Sequence, residues 1–522
     1  MARSRQVTER DAMLPKETSG SARDGGSCTE DQVSVEEVLQ LTHGAFSGGV
    51  VLVGSRLMAW VLALVMTIML PRFLGVTGFG QLYLAMTLTG IMAILVEFGL
   101  NSLVARQVSW RRQDATRYLA NGAVLKTVLW LVAAVLVGVF VRIVGYPLET
   151  QSATAILALS VLIAGGSSLL VAVLQANDKM GWIALSAVAE KVAYAGLGAA
   201  VLFLGFGVLA VAVVTVASVV IGFILDAWWF RRLARRNDVR SGWAGFEVRS
   251  VFMQALPFFS VLFFGAIYFR VDVVILSLFR DEATVGYYGA AYRLFQTTYV
   301  LADAFVFAFF PLLCRLASQA SGALAIAAQR CLDLLLLIGI PLSVSMLVLS
   351  NEIVTTLYGG QFAPSVRPLQ ILSIAVMLMY ADSVMVQVLI ATERQKRLAL
   401  TAMIAAGFNV AANFSLIPFL GAQGAAITTV LTEILVLTLN VAFLPRVVRT
   451  GLRANVSMRA ATAAGAMAVV LELLDGRSLL LLVPVGLAVY LVGVVALRAV
   501  SLEDWRMVRS AFGRRRRVES DG

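Results

Sequence analysis

The chain has 522 residues, of which 59% are hydrophobic and 14% are charged, and its net charge is +11. Soluble domains usually carry about 25% charged residues, so this composition excludes an ordinary water-soluble protein. Lipid offers no hydrogen bonds to the backbone, and the apolar runs are continuous rather than alternating. The sequence therefore predicts an all-α, polytopic membrane protein and not a barrel. The positive charge is attributed to cytosolic loops and not to nucleic-acid binding.

In chain order, the apolar runs predict about 14 transmembrane helices. They are expected near residues 47–70, 79–101, 119–144, 152–174, 182–204, 206–230, 251–279, 284–312, 323–349, 363–390, 397–419, 421–445, 456–474 and 478–498. The fifth and sixth nearly touch at Gly205, and the eleventh and twelfth flank Gly421.

The distribution of Lys and Arg sets the expected orientation, because basic residues accumulate in cytosolic loops. With the amino terminus in the cytosol, 31 of the 42 basic residues fall in cytosolic segments and 5 in outside segments. This split favours an even number of spans with both termini cytosolic, in the cytoplasmic membrane. The longest outside connection lies near 351–362, so no external domain is expected.

Composition divides the chain into six segments. We predict a disordered cytosolic tail, an amino-terminal six-helix lobe, a basic cytosolic linker, a carboxy-terminal six-helix lobe, two extra transmembrane helices and a basic cytosolic tail. Their respective ranges are 1–44, 45–230, 231–250, 251–446, 447–498 and 499–522.

A faint repeat supports the two lobes. Shifting the first half by 206 residues places Gly80 on Gly286 and Glu97 on Asp303. Because this shift equals six spans, both copies have the same topology, which predicts two parallel halves related by an axis along the membrane normal.

Charged residues within the spans are the candidate functional groups. A cation at the middle of a bilayer costs roughly 2.5–3.5 kcal/mol on insertion scales, so such residues must face a cavity or a partner. Arg56, Arg270 and Arg293 are the three cations without an obvious acidic partner on the same helix face. Guanidinium groups bind phosphate through two parallel hydrogen bonds, so these three predict a cavity for an anionic, phosphate-bearing ligand.

Two other residues in spans have a conformational or a structural interpretation. Pro257 removes a backbone hydrogen bond inside the seventh span, so it is a candidate hinge. Lys126 lies about two turns into its span and is expected to reach the cytosolic side.

The sequence predicts no metal site, no cofactor and no catalytic centre. The three cysteines share no metal or redox spacing, and the single His43 precedes the first span. No nucleotide-binding loop is present, so ATP is not expected to drive the protein directly. We therefore do not expect an enzyme.

Several motifs occur in an order that resembles a known family. They are 70–83 (LPRFLGVTGFGQLY), 97–100 (EFGL), 270–276 (RVDVVIL), 285–294 (VGYYGAAYRL), Phe310–Pro311, 357–362 (LYGGQF), Asn409 with Asn413, and 416–426 (LIPFLGAQGAA). Together they resemble bacterial polysaccharide flippases of the O-antigen, Wzx-like type. These belong to the multidrug/oligosaccharidyl-lipid/polysaccharide exporter superfamily. The marks cover roughly residues 45–450.

This resemblance implies two six-helix lobes that open alternately to either side. It implies an undecaprenyl-diphosphate-linked oligosaccharide as substrate, which agrees with the cavity argued from the arginines. Arg56, Arg270 and Arg293 are the residues carried over as substrate-binding. The expected driving force is the membrane potential or a coupled ion, with Glu97, Asp303 and Asp382 as candidate acids.

Other functions stay open. The resemblance also covers cation-coupled multidrug exporters and lipid II flippases of the same superfamily. Fourteen spans resemble the lipid II flippases, in which extra carboxy-terminal helices help to hold the lipid tail. A membrane glycan polymerase is a remote alternative, because it would need a sizeable outside loop.

Three kinds of partner are expected besides the substrate. The basic run Arg514–Arg517 follows an amphipathic segment and predicts contact with anionic membrane lipid. A polysaccharide polymerase and glycosyltransferases are the candidate protein partners.

Overall fold

The computed structural model describes residues 35–110, 115–236, 248–319 and 321–499, with the side chains of 35–57 and of scattered positions between 236 and 321 left undescribed. Residues 1–47 and 48–522 form two compact units, and the packing considered below is that of the second. In the first unit, residues 35–47 belong to the opening helix. Most of the predicted tails and linker, at 1–34, 237–247 and 500–522, lies outside the described residues.

Every regular element in the described ranges is helical. In chain order the helices are α1 (Val35–Glu97), α2 (Leu100–Trp110), α3 (Ala115–Val144), α4 (Leu148–Ala176), α5 (Met180–Phe203), α6 (Val208–Arg236), α7 (Val248–Phe279), α8 (Glu282–Gln319), α9 (Ser321–Val348), α10 (Ser350–Tyr358), a short 3-10 helix (Gly360–Ser365), α11 (Val366–Ala391), α12 (Gln395–Leu420), α13 (Ala422–Phe443), α14 (Arg446–Gly451), α15 (Asn455–Leu473) and α16 (Leu479–Ala496).

The helices confirm a multi-pass, all-α membrane protein. Eleven described segments are long and apolar enough to cross a membrane, or twelve if the bent pair within α8 is one span. The predicted number of fourteen is not confirmed. One of the eleven, Met58–Trp110, has 53 residues and contains part of the first predicted span and all of the second. It includes a kink at Gly75, whose φ of 70° is in the left-handed region that glycine adopts without a steric penalty.

Breaks of one or two residues divide helices that hydropathy predicts as continuous. Within the second predicted span, 79–101, helix α1 ends at Glu97, and Phe98 (φ 42°) and Gly99 (φ 72°) turn the chain into α2. The predicted outside connection near 351–362 contains nearly all of α10 and half of the 3-10 helix. Hydropathy averages over about twenty residues, so it does not resolve such breaks.

Helix packing follows the two halves of the sequence. We call α1–α6 the first half and α7–α13 the second half. Helices α3–α6 pack on one another, α11 packs on α8, α9 and α13, and α15 packs on α16 and α9. Helix α7 packs on α12 and also on α2 and α3, so it lies where the halves meet. The predicted boundaries of the two lobes stay a prediction.

The largest apolar core lies around α1, α8 and α11. Its biggest fully buried side chains are Tyr288, Tyr358 and Tyr380. The Tyr380 hydroxyl donates to the carbonyl of Thr298 at 2.8 Å, which satisfies this phenol away from water.

Candidate functional site

The two halves meet tightly at the helix ends that carry Gly75 and Arg280. We call this the outer end, after the orientation that the basic residues predict. A Cβ on Gly80 would lie 1.8 Å from the Glu282 carbonyl oxygen, and a Cβ on Gly286 would lie 2.3 Å from that of Val76. Glycine is therefore required at both positions of this helix crossing. The two glycines are those that the sequence repeat places on each other.

Further contacts join the halves at the outer end. The hydroxyls of Tyr146 and Ser277 are 2.7 Å apart, and Arg72 donates to the carbonyl of Thr356 at 3.4 Å. Phe79 of α1 packs edge-on against Phe362 of the second half, with ring centroids 6.2 Å apart. These contacts close the outer end.

A cavity of about 460 Å³ lies beyond this crossing, between the two halves. Helix α1 contributes Tyr83, Met86 and Gly90 to its wall. Helices α4, α6, α7 and α8 supply the rest, which includes Ser160, Ala164, Thr215, Arg270, Tyr292, Arg293 and Gln296. Two of the three predicted substrate-binding arginines therefore share one cavity.

Arg270 reaches across from α7 to the backbone of α1. A Cβ on Gly90 would lie 2.2 Å from its Nη1 atom, so the guanidinium occupies the space that a side chain would fill. The nearby carboxylate of Asp272 is instead held by the Tyr288 hydroxyl and by the Val273 amide at 2.8 Å. Within the described residues Arg270 has no hydrogen-bond acceptor, so its donors are available to a ligand.

Arg293 of α8 lies against aromatic rings of α1. Its guanidinium carbon lies 5.5 Å from the ring centre of Phe79 and 5.7 Å from that of Tyr83. One nitrogen also approaches the sulfur of Met86 at 3.1 Å. Ring faces attract a cation but do not neutralise it, so Arg293 keeps its charge for an anion. Two guanidinium groups in one cavity can bind a phosphate or diphosphate bidentately.

The halves also touch at the other, inner end of the cavity. Phe98 of the α1–α2 turn stacks on Phe252 and Phe259 of α7, with ring centroids 4.7 and 4.3 Å apart. Gln107 donates to Gln254 at 3.3 Å. The cavity therefore has contacts between the halves at both of its ends.

The three predicted ion-coupling acids do not line this cavity. Glu97 accepts from Asn101 at 3.0 Å. Asn101 in turn accepts from Lys126 at 2.9 Å, and Lys126 also donates to Ser168 at 2.7 Å. Lys126 is only 2% exposed, so the expectation that it reaches the cytosolic side is wrong. Its ammonium group instead takes part in a polar network inside the first half.

Asp303 and Asp382 share a second, smaller cavity of about 100 Å³ within the second half, together with Glu433. Asn440 of α13 donates to Asp382 of α11 at 2.7 Å. Phe269 lines both cavities, so it stands between the arginines and these acids. Three carboxylates around a small cavity suit a cation.

Two predicted residues cannot be placed. Arg56 lies in α1 and Pro257 in α7, and the side chains of both are outside the described residues. The role of Arg56 in binding and that of Pro257 as a hinge stay predictions.

The sequence reasoning missed Asp226, a carboxylate of α6 that is 3% exposed. The signal was present, because this acid lies within the predicted sixth span. It also missed the aromatic support of Arg293, because residues 79 and 83 are more than two hundred positions away in the sequence and only the fold brings them together.

Both the sequence and the fold resemble those of known proteins. Residues 46–317 match the family described as "Polysaccharide biosynthesis protein". The chain belongs to this family. A relative from Haloferax volcanii, described as "Probable low-salt glycan biosynthesis flippase Agl15", is 26% identical over 363 residues, which is 69% of this chain and 75% of that protein.

Two solved structures share the fold. The lipid II flippase MurJ in an inward closed conformation has a TM-score of 0.68 at 15% identity, covering 87% of this chain and 99% of that chain. An inward-facing multidrug resistance MATE family transporter has a TM-score of 0.59 at 16% identity, covering 72% and 92%. At this identity the likeness concerns the fold alone.

Proposed function

We propose that this protein is a flippase that moves a lipid-linked oligosaccharide across the cytoplasmic membrane for polysaccharide export. The observation that carries the proposal is the pair of guanidinium groups, Arg270 of α7 and Arg293 of α8, that line one cavity between the halves. The family match and the glycan flippase relative support the same substrate class. The substrate is an undecaprenyl-diphosphate-linked oligosaccharide, and no covalent bond changes.

The cavity gives each part of such a molecule a place. The diphosphate binds to Arg270 and Arg293, while Tyr83, Tyr292 and Gln296 offer ring faces and hydrogen bonds to sugar. The hydrocarbon tail stays in the surrounding lipid, because enclosing it would need far more volume than the cavity has.

Transport proceeds by alternating access. Loading from the cytosol requires the Phe98 stack with Phe252 and Phe259 to separate while the glycine crossing stays closed. Release to the outside requires the reverse. Pro257 lies in α7, the helix that contacts both halves, where a missing backbone hydrogen bond allows bending. Both termini are cytosolic in this scheme, and a coupled ion at Glu97, Asp303 or Asp382 drives it.

The test uses purified protein in liposomes with a fluorescent diphosphate-linked oligosaccharide. Arg270→Ala removes charge-assisted hydrogen bonds worth about 1.5–3 kcal/mol, so we expect roughly a tenfold to hundredfold loss of transport. Arg270→Lys keeps the charge and loses the fork, so it should recover only part of the activity. Arg367→Ala, an exposed arginine at the outer end, is the matched control. Equal transport by Arg270→Ala and wild type would refute the binding role.

A cation-coupled multidrug exporter is the second candidate. The observation that favours it is the acidic cavity of Asp303, Asp382 and Glu433, which suits a cationic ligand. Resistance of expressing cells to cationic drugs, lost on Asp382→Asn but not on Arg270→Ala, would select this alternative. A lipid II flippase is distinguished by the same liposomes loaded with lipid II.

The proposed partners follow from the substrate. Glycosyltransferases would build the oligosaccharide on the cytosolic side and a polysaccharide polymerase would receive it outside. Anionic lipid would bind the basic carboxy-terminal tail. Co-purification from native membranes after crosslinking would test the two protein partners.

A further inference from the structure

A polar cluster between α4, α5 and α6 is unused by the mechanism above. Ser167 of α4 donates to one oxygen, Oδ2, of the Asp226 carboxylate. The other oxygen, Oδ1, is buried and has no hydrogen-bond partner in the described parts of the chain. Ser186 of α5 faces this carboxylate and interacts with it, but its buried hydroxyl makes no hydrogen bond of good geometry among the described residues. Asp226 and Ser186 are each 3% exposed.

Among the side chains that the structure describes, the charges around Asp226 leave one negative charge in excess. Helix α5 presents Glu190, which interacts electrostatically with Asp226. The only nearby cation on α5, Lys191, is paired with Glu190 at 2.8 Å. The described part of α4 has one charged residue, Glu149, at the far end of the helix. On α6 the next basic residue is Arg231.

An uncompensated carboxylate at membrane depth is costly, and such groups are normally neutralised by a partner. The groups that face Asp226 are oxygens, which are the ligands that small hard cations prefer. A proton on Oδ1 would also let Asp226 donate to Ser186, which would satisfy both unpartnered atoms. The cluster therefore lacks one small positive charge.

The second half has an equivalent cluster. Asp382 of α11, Thr401 of α12 and Asn440 of α13 lie 215, 215 and 214 residues after Ser167, Ser186 and Asp226. Asn440 of α13 donates to Asp382 of α11 at 2.7 Å, and Ser167 of α4 donates to Asp226 of α6. The acid is therefore on the first helix of the pair in the second half and on the last helix in the first half. The Thr401 hydroxyl and the Asn440 Oδ1 atom are again buried and, among the described residues, unpartnered. The same three-helix junction thus carries a carboxylate and an unpartnered hydroxyl in both halves.

We propose that Asp226, Ser167 and Ser186 form a binding site for one small monovalent cation, a proton or Na⁺, in the first half. The cation neutralises Asp226 and links α4, α5 and α6. Helices α4 and α6 also contribute residues to the wall of the cavity that contains Arg270 and Arg293. Binding itself needs no substrate. Only its use to drive transport rests on the proposed function.

The test measures cation binding by purified full-length protein in detergent, without any glycan. Radioactive Na⁺ gives the number of ions bound per protein, and the thermal unfolding midpoint is followed against pH in sodium-free choline chloride. We expect Asp226→Asn, which is neutral and of the same shape, to fold normally. It should bind one Na⁺ fewer per protein if the ligand is Na⁺. If the ligand is a proton, wild type should be more stable at low pH, and Asp226→Asn should lose that stabilisation.

Ser186→Ala keeps the carboxylate and should weaken cation binding several-fold. This variant tests the site independently if Asp226→Asn misfolds. Glu149→Gln removes a carboxylate at the far end of α4 and is the matched control. If Asp226→Asn and Ser186→Ala both match wild type in Na⁺ number, Na⁺ affinity and pH dependence, the proposal is overturned. Because no glycan is present, that result would leave the flippase proposal untouched. Normal cation binding by a protein that transports no glycan would instead count against the flippase proposal and leave the cation site untouched.

Discussion

The glycine crossing at the outer end leads to a sharp prediction about access to the cavity. In Gly80→Ala the new Cβ would start 1.8 Å from the Glu282 carbonyl oxygen, and separations under 3.0 Å essentially never occur. Because the obstacle is backbone, α1 and α8 must part by more than an ångström. Overpacking of this kind costs roughly 1–3 kcal/mol, and only the state closed at the outer end bears it. The population open at the outer end should therefore rise about 5- to 150-fold.

The assay is labelling of a cysteine in the cavity by a membrane-impermeant maleimide added outside intact cells. Ser160→Cys supplies the target in a background without Cys28, Cys314 and Cys331. We expect Gly80→Ala to speed labelling by up to the factor above, and Gly286→Ala, whose Cβ would lie 2.3 Å from the Val76 carbonyl oxygen, to do the same.

The matched control is Gly138→Ala in α3, because a Cβ there meets nothing within 4 Å. Labelling is normalised to folded protein recovered by size-exclusion chromatography. Labelling rates in Gly80→Ala and Gly286→Ala that equal those of Gly138→Ala would show that the crossing does not hold the outer end shut.

Three further predictions concern other contacts. Gly90→Ala places a Cβ 2.2 Å from the Arg270 guanidinium, so liposome transport should fall about tenfold or more while protein yield is unchanged, if the arginine position matters. Lys126→Met leaves Glu97 and Asn101 without their cation. Because unsatisfied buried groups cost roughly 1–3 kcal/mol, the unfolding midpoint should drop by several degrees. Adding Glu97→Gln to the same protein should restore part of the lost midpoint. Gln329→Ala removes the bonds at 2.8 and 2.9 Å to the Arg453 backbone, so limited proteolysis should cut before α15 faster than in wild type.

The sequence is informative about helices because crossing a membrane demands long apolar runs. The predicted third span at 119–144 ends with α3 at Val144, and the turn expected at Gly205 lies between α5 and α6 with a φ of 79°. Breaks such as Phe98–Gly99 were missed because two residues barely change the hydropathy of a twenty-residue window. The break is nevertheless important, since it positions Phe98 against α7.

For the site, the energetic argument that intramembrane arginines must face a cavity singled out Arg270 and Arg293, and both line one cavity. It could not identify their neighbours. Phe79 and Met86 are apolar and look like ordinary core residues, and Gly90 matters only because Arg270 crosses it. The separation of Glu97, Asp303 and Asp382 from the arginines was likewise invisible, because sequence gives depth in the membrane but not the direction in which a side chain points.

The reciprocal contact of Gly80 and Gly286 also bears on how such a chain could originate. A Cβ built on Gly80 would lie 2.9 Å from the backbone nitrogen of Gly286, and one built on Gly286 would lie 3.3 Å from that of Gly80, so residue i meets j just as j meets i. That is the property of a residue on the two-fold axis of a homodimer. A single gene for a six-helix unit would need only one glycine there, and its dimer would place the two copies of that glycine on either side of one crossing. Duplication and fusion of that gene would preserve the crossing, after which the two copies could diverge in charge around it.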